Sequence, residues 1–404
     1  MGLKILHVTD EALVHPIRVI NEVRAQSEAG VEVEVLTFGE HAKPSSAVFA
    51  GAVHHHVQWH GLGGKFKALA AECSVYGRLT AGHISRVVDR FQPDVLHVHN
   101  IYLIPALNGV IERDNRPLLV LDIAENIPEI MKSYDHVRRG IGKYLIRPNR
   151  WKDLEEKGIN QSDLLVFVTQ EAEQEAHSRV DLSEAKTLCM TNLVWPDSIR
   201  SEGPAPVMPA GRMCLYFGDT GMRRGMESML RGFDLAADQL KDIELVVVGF
   251  NAREQEKLKL LRAGLKHANR VHLEGFQPMN KVGHYFQKAS IGLCPILRNV
   301  HHDTTHANKL FQYARFGIPM LVSDCPSQAR LVRDHELGEV HEAGNPVDFS
   351  KKLIKMMSRD HDAITSEGAI SGDLKLKWSW PHVMRHYLNR IDALLNDRRA
   401  HQGG

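Results

Sequence analysis

Ten short apolar runs recur along this chain, five in each half, with longer amphipathic stretches between them. In the first half they occupy residues 3–8, 31–37, 94–99, 118–122 and 164–169. In the second they occupy 213–217, 244–248, 271–274, 291–295 and 320–323. Strands that are continuously apolar, rather than alternating, are buried on both faces, and the helical stretches between them supply the cover. The pattern predicts an α/β protein with doubly wound parallel sheets. Ligand sites are then expected at the carboxyl ends of the strands.

One stretch breaks the rhythm. Residues 196–211, PDSIRSEGPAPVMPAG, carry four prolines and no periodic apolar pattern, which reads as a linker. The domains are expected at 1–195 and 212–378, each long enough to bury its own core. A helix follows at 379–398, with Trp380, Val383, Tyr387, Leu388, Ile391 and Leu394 at helical spacing. It either closes the second domain or packs back on the first.

Composition narrows the function. Fifty Lys and Arg against 49 Asp and Glu give a net charge of +1, without the basic excess of a dedicated nucleic-acid binder. No run approaches the roughly 18–20 apolar residues of a spanning helix. The first apolar run is too short for a signal peptide core. Five scattered cysteines without C-x-x-C spacing fit free thiols in a reducing cytoplasm. The expected location is cytoplasmic, with peripheral contact on the membrane's cytoplasmic face as an option.

The chemistry concentrates in residues 301–324, HHDTTHANKLFQYARFGIPMLVSD. Thr304 or Thr305 suits an N-cap and Gly317 a stop, predicting a helix of about three turns. Thr305, Lys309 and Gln312 share one face, with Asn308 at its margin, and Leu310, Phe311 and Ala314 lie opposite. A cation and amides at a helix start suit an anionic, hydroxyl-bearing ligand such as a nucleotide diphosphate. A surface helix with solvated Lys and Gln is the alternative. Residues 215–240 run from a strand through Gly218, Thr220 and Gly221 into a long helix. There, backbone N–H groups can approach a phosphate and Arg223 or Arg224 supplies charge. Gly249 and Gly275 mark further turns.

In the first half, His97, His99 and Asn100 follow one strand and Asp122, Glu125 and Asn126 another. Such groups can act as acid or base, bind sugar hydroxyls, or simply cap loops. The first turn, TDEALVHP, is not G-x-G-x-x-G, which argues against a nicotinamide-dependent dehydrogenase. Residues 136–152 interleave Arg138, Arg139, Lys143, Arg147, Arg150 and Lys152 with apolar and aromatic residues. That suits an anionic membrane surface, a lipid diphosphate acceptor, or a solvated basic helix. His54, His55 and His56 would alternate faces on a strand and cannot converge on one ion. His301, His302 and His306 flank the phosphate-suited helix.

The strings KILHVTD…HPIRVINEVRAQSEAGVEVEVLT, PDVLHVHN, DLLVFVTQ, FGDTGMRRGMESML, VHLEGFQP, ASIGLCPI and NKLFQYARFGIPMLVSD, in this order and spacing, resemble the retaining glycosyltransferases of family 4. The resemblance implies the GT-B fold: two Rossmann-like domains facing a cleft. A nucleotide sugar would bind mainly to the C-terminal one and a carbohydrate or lipid-linked acceptor mainly to the N-terminal one. Arg224 falls where the family places a cation against the donor diphosphate, and Lys309 lies on the helix that approaches the phosphates. Gln312 stands at the second of two family glutamates and Thr304 at the first. Asp219 stands where many members have arginine. Asp122, Glu125 and Pro128 match a D-x-x-E-x-x-P form of a family loop, with Ala124 in place of its common histidine.

The candidate donor contacts are therefore Thr220, Gly221, Arg223, Arg224, Gly249, Gly275, Thr305, Asn308, Lys309 and Gln312. His99, Asp122 and Glu125 are the catalytic candidates. Arg138, Arg139, Lys143 and Arg147 are the acceptor or membrane candidates. No cofactor, no metal and no nucleic acid is expected. A GT-B binding or scaffold protein without turnover, or a GT-B sugar epimerase, would share the pattern.

Overall fold

The apolar runs become strands because both of their faces are covered, and their central residues are almost without solvent exposure. A computed structural model describes residues 2–10, 17–39, 52–58, 75–99, 101–133, 147–249, 251–359 and 370–402. The chain divides into two units, Met1–Thr191 with Trp380–Gly404, and Asn192–Ser379.

The first unit holds β1 (Lys4–Thr9), β2 (Glu32–Gly39), β3 (Val53–Gln58), β4 (Val95–Val98), β5 (Leu118–Ile123), β6 (Leu164–Phe167) and β7 (Thr187–Cys189). They form one parallel sheet in the order β3-β2-β1-β4-β5-β6-β7. The second unit holds β8 (Arg212–Phe217), β9 (Ile243–Val248), β10 (Val271–Gly275), β11 (Ala289–Cys294), β12 (Met320–Ser323) and β13 (Gly338–His341). Their order is β10-β9-β8-β11-β12-β13, again all parallel. Both sheets have the doubly wound topology expected. Strand order reverses between β1 and β4 and between β8 and β11, the places where ligands bind in this architecture.

Three strands escaped the periodicity argument, and all three are sheet edges. β3 is VHHHVQ, half-buried and polar. On it His54 and His56 face Thr37, at 2.9 and 2.8 Å, while His55 faces Glu34 at 2.8 Å. That is the face alternation expected of the triple histidine. β7 and β13 are three and four residues long.

Residues 192–211 contain no strand or α-helix. They run as a strap over helix α3 (Met279–Lys288) within the second unit. Glu202 N donates to Asn280 O at 2.7 Å and Gly283 N donates to Arg200 O at 2.8 Å. A Cβ on Gly283 would meet the strap's Ser201 Oγ at 2.4 Å. The final helix, α6 (Trp380–Gln402), is part of the first unit. Its Trp380, Tyr387 and Ile391 are buried there, and Arg398 donates to Arg116 O at 2.8 Å and pairs with Asp163 at 3.1 Å. No helix among the described residues is long and apolar enough to cross a membrane. Cys189, Cys214, Cys294 and Cys325 are free thiols.

Candidate functional site

In the second unit the switch point places the ends of β8 and β11 side by side. After β8 the chain turns through Gly218, Asp219, Thr220 and Gly221, then through one 3-10 turn (Met222–Arg224), into helix α2 (Met226–Gln239). Two glycines make this turn possible. Gly225 caps α2 at φ +78°, and a Cβ there would lie 1.8 Å from the carbonyl oxygen of Pro295, just past β11. A Cβ on Gly249 (φ +152°) would lie 1.7 Å from the carbonyl oxygen of Gly218. Gly249 N also donates to Gly275 O at 2.8 Å. Gly249 and Gly275 thus hold neighbouring strand ends together.

The turn is braced by its own polar groups. Asp219 Oδ1 accepts from Gly221 N at 3.1 Å and from Asn251 Nδ2 at 2.8 Å. Glu254 accepts from Met222 N at 3.1 Å. Arg224, half-buried, lies 3.5 Å from Asp219 Oδ2, and Arg223 is exposed. The residue standing where the family favours arginine is therefore a carboxylate that orders the turn and holds Arg224. Thr220 and Gly221 are buried inside it.

The helix of about three turns expected between Thr304 or Thr305 and Gly317 is shorter, α5 (Asn308–Arg315), and a separate turn, α4 (Val300–Asp303), precedes it. Neither threonine caps α5. Thr304 Oγ1 donates back to Val300 O at 2.9 Å and Thr305 Oγ1 to His301 O at 2.8 Å, and the N-cap of α5 is Ala307 without a side-chain cap. Hydroxyl-to-carbonyl bonds at i−4 compete with capping and end α4 instead. Gly317 does stop α5, at φ +66°.

Lys309 and Gln312 are buried, at 9% and 8% exposure, so the face expected to be polar and open is covered. Asn308 is exposed, and its Oδ1 accepts from Asn192 Nδ2 at 3.1 Å. The Lys309 ammonium sits 3.6 Å from the centre of the Tyr216 ring. It also lies 3.5 Å from where a Cβ on Gly218 would stand. Burial pushes its pKa down to about 8, Arg224 adds to the drop, and Cys294 and Asp219 oppose it. His301 stands nearby with Nδ1 buried and without a hydrogen-bond partner. Burial first, then His302 and the two arginines, push its pKa down to about 3, so it is neutral. The arrangement offers a buried cation, a second cation at the rim and a neutral imidazole beside a glycine turn. It can receive an anion and stabilise negative charge there. Tyr216, Asn251 and Glu254 were not foreseen. The only cue to the last two is their position just after the strand ending at Val248.

In the first unit His99 and Asp122 do come together, Nδ1 to Oδ2 at 2.9 Å. They do not stand at an open rim, since Asp122 is 3% exposed and His97 is fully buried. Arg18, from helix α1 (Ile17–Glu28), grips Asp122 with Nε at 2.8 Å and Nη2 at 2.9 Å, and donates to Met190 O at 2.9 Å. Burial alone would raise the Asp122 pKa, but Arg18 and His99 outweigh it and hold the carboxyl well below its usual range. Glu125 is exposed. Arg18, Glu22 and Gln26 were missed, although three polar residues spaced by four on an otherwise apolar helix face are a readable signal. Arg138, Arg139 and Lys143 lie outside the described residues. Arg147 is exposed at the start of the helix Pro148–Gln161.

Residues 211–359 match a family model described as Glycosyl transferases group 1. The matched stretch spans most of the second unit. The glycosyltransferase assignment covers the glycine turn after β8, Arg224, Lys309 and Gln312, all of which fall within the matched stretch. Solved structures share the fold over nearly the whole chain. A glycosyltransferase from Rickettsia africae is 12% identical, with 98% of this chain and 99% of that one covered and a TM-score of 0.69. Sucrose-phosphate synthase from Thermosynechococcus elongatus is 12% identical, with complete coverage of both and a TM-score of 0.69. The Anabaena protein HepE in complex with UDP and glucose is 11% identical, with 97% and 100% covered and a TM-score of 0.65. At these identities the likeness establishes the GT-B fold. No curated protein sequence matches the chain.

Proposed function

We propose that the protein transfers a sugar from a nucleotide-diphosphate sugar to a hydroxyl acceptor, with the diphosphate received between Lys309, Arg224 and the glycine turn after β8. The observation that carries this reading is the buried Lys309 ammonium. Burying a cation without a partner anion is costly, and a ligand diphosphate is the group that relieves that cost at this place. The UDP complex of the Anabaena protein of the same fold supports a nucleotide donor. No metal is needed, because two cations and the helix start can stabilise the leaving diphosphate as its charge develops. Retention of configuration, and a role in bacterial surface polysaccharide or glycolipid synthesis, rest on the resemblance to family 4. The basic and aromatic stretch 136–152 supports a lipid-linked acceptor or contact with an anionic membrane surface.

The test is a screen of UDP-, GDP- and ADP-sugars by thermal shift and by donor hydrolysis. One nucleotide should stabilise the protein, by about 2.7 kcal/mol at a hundredfold excess over its Kd. If none shifts the melting point, the proposal fails. A second reading, a GT-B protein that binds nucleotide without turnover, is favoured by one observation. Where the family has its first glutamate, Thr304 offers a hydroxyl already spent on its own helix. Binding without hydrolysis or transfer, with acceptors present, would select it.

Lys309 also sets a pH dependence. Its folded pKa is depressed to about 8, so the free protein carries the ammonium below that pH and loses it above. Affinity for a nucleoside diphosphate should be flat from pH 6.5 to 7.5. It should then fall by up to about tenfold per pH unit above 8, as each binding event must first take up a proton. Calorimetric titration of UDP or GDP across this range measures it. An affinity independent of pH up to 9.5 would show that Lys309 does not meet the phosphates.

A further inference from the structure

The first unit contains a buried cluster outside the candidate donor site, and it includes His99. His7 on β1, His97 on β4, His99 just past β4 and Glu22 on α1 offer ligand atoms that all lie within 4.8 Å of one another. The imidazoles are neighbours for a topological reason: β1 and β4 pair in parallel with His7 opposite His97, and His97 and His99 are two residues apart and so share a face. Their ring centroids are 4.4–5.0 Å apart, and all four side chains are buried.

The hydrogen bonds sort the six imidazole nitrogens into two sets. One nitrogen of each ring points outward to a partner. His7 Nε2 meets Gln26 Oε1 at 2.6 Å, His99 Nδ1 meets Asp122 Oδ2 at 2.9 Å, and His97 Nδ1 meets Tyr387 Oη at 3.2 Å. The other nitrogen of each ring points inward. His7 Nδ1 and His99 Nε2 are 2.7 Å apart, and His97 Nε2 has no hydrogen-bond partner. Both His97 Nε2 and His99 Nε2 lie 3.9 Å from Glu22 Oε2. Neither oxygen of Glu22 accepts a hydrogen bond, although Arg18 Nε lies 2.9 Å from Oε1.

With the Gln26 amide oxygen turned to His7, neutral imidazoles leave this arrangement unsatisfied. The carboxylate of Asp122 and the amide oxygen of Gln26 accept, so His99 Nδ1 and His7 Nε2 carry the hydrogens. In neutral rings the two inward nitrogens then present lone pairs to each other at 2.7 Å. An imidazolium between them would have to persist without water and beside the Arg18 guanidinium. With neutral imidazoles and Glu22 ionised, as a ligand carboxylate must be, the buried group carries Glu22 and Asp122 against Arg18, one net negative charge. A cation placed among the inward atoms removes both conflicts.

We propose that His7, His97, His99 and Glu22 bind one divalent metal ion of the zinc type. Three imidazole nitrogens and one carboxylate oxygen are a borderline-soft set suited to zinc. Tetrahedral geometry with metal–ligand bonds of about 2.0–2.1 Å puts ligand atoms roughly 3.4 Å apart, against 2.7, 3.9 and 3.9 Å for three of the pairs and at most 4.8 Å for the rest. The outward contacts are what metal-bound histidines need from their surroundings: a carboxylate, an amide oxygen and a phenol that fix each ring's tautomer and direction. Four protein ligands and full burial describe a closed, structural ion joining β1, β4 and α1, distinct from the donor site.

The test uses the full-length protein without a histidine tag. After chelation and desalting, zinc is returned and counted, and cobalt(II) serves as a spectroscopic probe. One tightly held equivalent is expected, with the intense visible cobalt bands of a four-coordinate site, and a higher melting temperature with zinc. His97→Ala and Glu22→Gln should each cut zinc affinity at least tenfold, while His54→Ala on the distant edge strand should leave it unchanged. If His97→Ala fails to fold, X-ray absorption of the zinc-loaded wild type must still count three imidazoles. Wild-type protein that keeps its native melting curve yet binds neither ion would overturn the proposal. So would a stoichiometry that His97→Ala and Glu22→Gln do not change.

Discussion

Replacing Lys309 with methionine should reduce kcat/KM for the sugar donor by about 10²–10³, because a preorganised charge at a developing anion is worth about 3–4 kcal/mol. The melting temperature of the free protein should stay the same or rise. Methionine fills the space over the Tyr216 ring without the cost of holding an ammonium away from water. A structural lysine would give the opposite pair of results, normal donor kinetics with lower stability. The contrast follows the general rule that sites built for charged ligands are poorly satisfied when empty. Steady-state kinetics and calorimetry on one preparation decide it.

Arg18→Met should destabilise the first unit by about 3–5 kcal/mol, the usual penalty for breaking one side of a buried ion pair. The guanidinium is 7% exposed and serves Asp122 through two nitrogens, Glu22 at 2.9 Å, and the carbonyl of Met190. Methionine matches its length and leaves both carboxylates buried without a counter-charge. Loss of that size corresponds to a fall in Tm on the order of 10 °C. The second unit, which shares none of these contacts, should unfold as in the wild type. A change below 1 kcal/mol would show that the carboxylates have another source of compensation.

Central strands and glycine turns were legible in the sequence because they answer to one-dimensional rules. A strand buried on both faces must be apolar throughout, as LLVF is, and Gly249 occupies a place where any Cβ collides with backbone. Edge strands were less legible. A sequence such as VHHHVQ is held by pairing on one side, and its apolar content is too small to announce it. The break between α4 and α5 was hidden as well. Thr304 and Thr305 carry equal local propensity to cap the following helix or to close the preceding one, and only the surrounding structure chooses. The cluster of His7, Glu22, His97 and His99 was the least legible. Its members lie up to 92 positions apart, and only the reversal of strand order between β1 and β4 makes them neighbours.

The membership of α6 has a consequence for the order in which the molecule can be completed. Residues 380–402 leave the ribosome after every residue of the second unit, yet they belong to the first and bring Tyr387 to His97. A nascent chain paused at residue 379 would hold a finished second unit. Its first unit would still expose the apolar patch that Trp380, Tyr387 and Ile391 later cover. Synthesis runs from the first residue onward, but the first unit is the last to be sealed.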